Sequence, residues 1–106
     1  MSIPDPFHAV AKEGVLHLEA RTPLVAAYVA AQRDFLKAQL DRAERAVVLD
    51  LTCAELVDSL GVTLIVGLFK SCRERQLGFS VVGANTEVLR LFHFFSLNDC
   101  FEIMGK

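Results

Sequence analysis

The run Ala46-Val47-Val48-Leu49-Asp50-Leu51 leads through Thr52-Cys53-Ala54-Glu55 into Leu56-Val57-Asp58-Ser59-Leu60-Gly61-Val62. The first run is nearly continuous in apolar residues. That predicts a central strand covered on both faces, rather than one with a solvated side. The second opens a helix expected from about Leu60 to Arg75, apolar almost all round until Lys70 and therefore largely buried. Between them stands a polar pair, Asp58-Ser59, at a junction of strand and helix. Ser59 is a favoured helix cap, and Asp58 suits the positive end of a helix dipole. Gly61 and Gly67 each lower the helix's intrinsic propensity by about 1 kcal/mol relative to alanine. They permit close packing on a sheet or on a partner.

Outward from this stretch the chain alternates between strands and helices. Leu77-Gly78 ends the helix, Phe79 to Val82 reads as a strand, and Gly83 closes it. Asn85 or Thr86 caps a further helix with Val88, Leu91, Phe92 and Phe95 at helical spacing, and Cys100 to Ile103 is a short final strand. Toward the N-terminus, Thr22-Pro23 has the form of a helix start, with a capping hydroxyl and then proline at the first helical position. Val25, Val29, Leu36 and Leu40 fall on one face of that helix; Arg33, Lys37 and Asp41 fall on the other. Phe7 to Ala11 and Val15 to Leu18, separated by Lys12-Glu13-Gly14, form a β-hairpin. The order is β-β-α-β-α-β-α-β. Strands joined through helices imply right-handed crossovers and a sheet with a substantial parallel part, hence a small α/β layered fold with a mixed β-sheet covered by helices.

The chain has 106 residues, of which 53% are hydrophobic, enough for one core, and residues 1–106 are expected to form a single domain. Net charge is −2, the pI is near 5.9, and no Lys/Arg cluster gives nucleic acid an electrostatic footprint. Cys53, Cys72 and Cys100 are odd in number and contain no Cys-x-x-Cys pair. They read as reduced, mostly buried thiols of a cytoplasmic protein, not as a disulfide framework or a zinc set. Met1 to Pro6 lacks the basic start and apolar core of an export signal. The longest apolar stretch, Leu60 to Phe69, is shorter than the ~20 residues that span a bilayer. His8 and His17 have no neighbouring ligand in sequence, so neither a metal nor another cofactor is expected.

The residues at the junction bear several readings. Asp58 and Ser59 can be a purely structural capping pair. A catalytic nucleophile is disfavoured, because Ser59 lies in Asp-Ser-Leu-Gly and not in Gly-x-Ser-x-Gly. No Gly-rich phosphate loop is present, so the chain is not expected to be an enzyme. Asp58-Ser59-Leu60 also matches the Asp-Ser-Leu of acyl carrier proteins, in which the serine carries a phosphopantetheine arm. Those domains are helical and acidic, whereas Ser59 to Arg73 contains no acidic residue.

A wider resemblance covers most of the chain. Val47-Val48-Leu49-Asp50-Leu51, Val57-Asp58-Ser59-Leu60-Gly61-Val62 and Gly67-Leu68-Phe69-Lys70 resemble the core of a STAS domain, the fold of anti-sigma factor antagonists. The likeness continues through Val81-Val82-Gly83, Val88-Leu89-Arg90-Leu91-Phe92 and Leu97-Asn98-Asp99-Cys100-Phe101-Glu102-Ile103. It implies a cytoplasmic, non-membrane protein that binds an anti-sigma factor with serine kinase activity in a partner-switching pathway. It places Ser59 at the phosphoacceptor position, with a PP2C-type phosphatase resetting it. It implies a partner contact at Asp58, Ser59, Leu60, Gly61 and Val62. A STAS interaction module that works without phosphorylation is the alternative, and a homodimer is compatible with either. Two positions depart from the family pattern: Leu60 stands where many members carry a second Ser or Thr, and Val25 stands roughly where antagonists have an aspartate. Of Phe92, Phe94 and Phe95, two are expected in the core and one partly exposed, unless they form a contact for a partner or a second copy. His93 is expected to be exposed.

Overall fold

In the computed structural model, which describes residues 5–106, the chain begins with the expected hairpin. Strand β1 (Phe7–Lys12) pairs antiparallel with β2 (Val15–Ala20). The two turn residues, Glu13 and Gly14, both have positive φ, 53° and 83°. Such a turn has the twist that suits an antiparallel pair, and glycine adopts it without steric cost. Met1–Pro4, in the stretch expected to hold no export signal, lies outside the described residues.

Helix α1 (Val29–Gln39) leads through a short 3-10 turn, Leu40–Arg42, to β3 (Ala46–Asp50). Helix α2 (Ser59–Glu74), β4 (Gly78–Ala84), helix α3 (Thr86–Phe94), a second 3-10 turn (Leu97–Asp99) and β5 (Glu102–Gly105) complete the order. The sheet runs β1-β2-β3-β4-β5, antiparallel at the hairpin and parallel thereafter. This is the α/β order read from the sequence. Five strands rule out the all-helical carrier architecture that Asp58-Ser59-Leu60 matched.

Every crossover steps the same way along the sheet. Right-handed connections that do so place all their helices on one face, and burial agrees. Leu16, Leu18, Val47, Leu49 and Val81 are buried in one cluster with Leu36, Ile65, Leu68, Val88 and Phe92 from the helices. On the other face His17 and Glu19 are exposed, and Val48, Asp50, Ser80 and Val82 are half-buried. β3 is therefore covered by helices on one face only, contrary to the expectation of two. Its apolar run reflects the value of β-branched residues in a central strand, not a second helical layer.

The structure corrects five further expectations. α1 does not start at Thr22-Pro23. Leu24 forms a parallel bridge with Val57, its N–H donating to the Leu56 carbonyl at 3.0 Å, and that extended backbone excludes helix. The fully buried Gln32 donates to Thr22 Oγ1 and to the Pro23 carbonyl, both at 2.9 Å, and so holds this connection against α1. α2 is not buried all round: Leu60, Thr63, Gly67 and Lys70 form an outward stripe. Cys72 is buried, but Cys53 and Cys100 are exposed. Of the three phenylalanines only Phe92 is core; Phe94 and Phe95 are 81% and 43% exposed. The last strand starts at Glu102, because Phe101 turns inward to pack between Phe69 and Phe79, at ring-centroid distances of 5.2 and 4.8 Å.

Candidate functional site

The connections that follow β2, β3 and β4 meet at the C-terminal edge of the parallel strands, where open α/β sheets place their sites. The segment after β3 is pinned throughout. Asp50 Oδ1 accepts from the Thr52 amide and hydroxyl at 2.9 and 2.6 Å. Asn85, the N-cap of α3, donates from Nδ2 to the Glu55 carbonyl at 3.1 Å. Leu24 takes the Asp58 N–H on its carbonyl at 3.1 Å. A chain held at so many points delivers Asp58 and Ser59 in one geometry.

Asp58, not Ser59, is the N-cap of α2, with extended backbone at φ −98° and ψ −174°. Its Oδ1 accepts from the Gly61 amide at 2.9 Å, the usual cap bond to the third helical residue. Its Oδ2 accepts from the Ala26 amide, also at 2.9 Å, so one carboxylate clamps the connection after β2 to the start of α2. The Gly61 amide, and next the Ala26 amide, hold the Asp58 carboxyl below its ordinary range, because both stabilise the charged form.

Ser59 becomes the first residue of α2 and is exposed. Its carbonyl accepts from Thr63 Oγ1 at 3.0 Å. Its hydroxyl, among the described residues, has no hydrogen-bond partner. Leu60 is 48% exposed beside it and Leu56 63% exposed before it. Gly61 and Val62 are buried, so of the five residues expected at a partner contact only Asp58, Ser59 and Leu60 present surface. Gly61 shapes the site from beneath. A Cβ there would lie 2.0 Å from the Leu24 carbonyl oxygen, so only glycine lets that backbone approach the helix. From Ala46 to Phe69 the chain has no Lys or Arg. Among the described residues no group of His, Cys, Asp and Glu could hold a metal ion, and no helix is long and apolar enough to cross a membrane.

Sequence reasoning missed two partners of Asp58, the Leu24 carbonyl and the Ala26 amide, and the latch by which Gln32 holds Thr22 and Pro23. Gln32 did leave a signal, since it sits between Val29 and Leu36 on the apolar stripe of α1, where a polar side chain needs a reason. The Leu24–Val57 bridge left none, because an isolated pair has no period.

A model of the STAS domain matches residues 7–105. The anti-sigma-B factor antagonist of Listeria monocytogenes is 40% identical over 55 residues, 52% of this chain and 48% of that protein. This chain thus spans about half the length of the relative it matches. Among solved structures, a candidate anti-sigma factor antagonist from Thermotoga maritima superposes with a TM-score of 0.86 at 21% identity, covering 94% of this chain and 86% of that one. A sulfate transporter family protein from Wolinella succinogenes reaches 0.74 at 18% identity over 90% and 80%. At these identities the likeness is one of fold.

Proposed function

The chain belongs to the STAS domain family, and we propose from that premise that it is an anti-sigma factor antagonist switched by phosphorylation of Ser59. It binds an anti-sigma factor with serine kinase activity and is released when Ser59 is modified; a PP2C-type phosphatase restores binding. ATP belongs to the kinase.

The observation that carries this reading is the exposed, unpartnered Ser59 hydroxyl held at the first position of α2 by a doubly bonded Asp58. A phosphate there adds about −1.5 to −2 charges and three acceptor oxygens. At a helix N-terminus that charge is tolerated, because the dipole and free amides favour it. From Ala46 to Phe69 the chain has no Lys or Arg, so the site's own segment supplies no cation to neutralise it. The same charge beside Asp58 and between the apolar Leu56 and Leu60 opposes any partner that must desolvate this surface. The fold persists while the complex dissociates.

Incubation with the kinase partner and ATP, followed by peptide mass spectrometry, tests this. The expected result is a single phosphate on Ser59 and none on the Ser59→Ala variant. Phosphate on another residue, or none while the kinase remains bound, sinks the switch. It would leave a STAS module that binds through its apolar rim alone.

A further inference from the structure

Arg21, just after β2, and Arg42, in the turn after α1, line one polar cavity of about 180 Å³ beside β1. His8 and Gln39 line it with them. Among the described residues neither guanidinium is in an ion pair. Arg21 Nη2 lies 3.4 Å from His8 Nδ1, and Arg42 Nη1 donates to Gln39 Oε1 at 2.7 Å. Each guanidinium has five N–H donors in a rigid fork, and these contacts occupy few of them. Asp5 is the one acid in the lining, and it pairs with neither arginine. Two guanidiniums against one carboxylate leave the cavity net positive. Phe35, stacked on Phe7 at 6.0 Å, forms an apolar wall that strengthens charge interactions on that side. β1 is an edge strand of the sheet, so this cavity lies at the sheet's open edge.

Both guanidiniums are exposed, so water meets their spare donors until an anion replaces it, and Asp5 offsets at most one of the two charges. A carboxylate is satisfied by a single fork; a phosphate has more oxygens and can engage both guanidiniums. We propose that this cavity is an oxyanion site for a dianionic phosphate group, taken as free inorganic phosphate or as the terminal group of a monoester. It uses none of the residues of the Ser59 site and does not rest on the switch.

The test is a titration of isotopically labelled protein with inorganic phosphate at slightly alkaline pH and constant ionic strength. It is read by NMR at the Arg21 and Arg42 Nε–H groups and the His8 and Ala9 amides. Saturable shifts confined to these groups are expected. Affinity should fall by about tenfold or more in the Arg21→Gln/Arg42→Gln double variant and stay unchanged in Arg33→Gln, a cation outside the cavity. Non-saturating shifts, shifts centred on Ser59 to Gly61, or equal affinity in the double variant would overturn the site. Phenyl phosphate binding more tightly than inorganic phosphate identifies the ester as ligand; equal or weaker binding identifies the free ion.

Discussion

Asp58 does two things with one side chain: it caps α2 through Gly61 and fastens the preceding connection through Ala26. Its carboxyl is held below the ordinary range, so the sign of its pH effect is fixed. The contribution is complete above the unfolded carboxylate value of about 3.9 and is lost as pH falls through the lower folded value. Asp58→Asn keeps the shape and removes the charge. On acidification below about pH 4 the wild type should lose more stability than this variant, and the two curves should converge. Urea denaturation over a pH series checks it; parallel curves would speak against the clamp. At this scale the sequence was half legible. It showed that the junction pair mattered, but assigned the cap to Ser59. Serine and aspartate are near-equal caps, and only the position of the first helical turn decides between them.

The glycines of α2 separate two uses of one residue type at the scale of an element. Both lower helix propensity equally, and the sequence could not rank them. At Gly61 a methyl meets the Leu24 carbonyl, whereas at Gly67 it meets nothing within 4 Å. Gly67→Ala should therefore stabilise by about 1 kcal/mol. Gly61→Ala should destabilise, by roughly 1–3 kcal/mol from overpacking against backbone. Chemical denaturation of the two variants decides it, and changes of the same sign would refute the close approach. The other elements were legible where apolar runs stood between turn or cap signals: the hairpin strands, β3, β4 and the body of α2. Legibility failed where tertiary bonds outvoted local signals. Thr22-Pro23 looks like a helix start, but the bridge of Leu24 to Val57 and the grip of Gln32 keep helix from forming there.

The whole molecule is a mixed sheet with its helices on one side, and that layering explains what composition could not. An apolar run cannot say whether a strand has one neighbour layer or two; the direction of successive crossovers can. Layering also sorts the thiols. Cys72 lies in the core, where burial pushes its pKa up to about 11 from 9.0, while Cys53 and Cys100 face solvent. A thiol reagent should label Cys53 and Cys100 in the folded protein and Cys72 only on unfolding. Because the folded value is the higher one, the Cys72 contribution to stability should decline as pH rises from 9.0 toward 11 and be constant below 9.0. Mass spectrometry after timed alkylation reads the first; labelling of Cys72 at the rate of Cys53 would contradict the packing.

The proposed switch belongs to the scale of the whole molecule, since it requires the complex with the proposed kinase partner to fail while the fold survives. Calorimetric titration of the kinase partner with unmodified and Ser59-phosphorylated protein tests this most directly, with circular dichroism on both forms. The predicted result is affinity weaker by at least about tenfold, or 1.4 kcal/mol, on phosphorylation, with an unchanged spectrum and cooperative melting. Equal affinities, or weaker binding accompanied by loss of the folded spectrum, would contradict it.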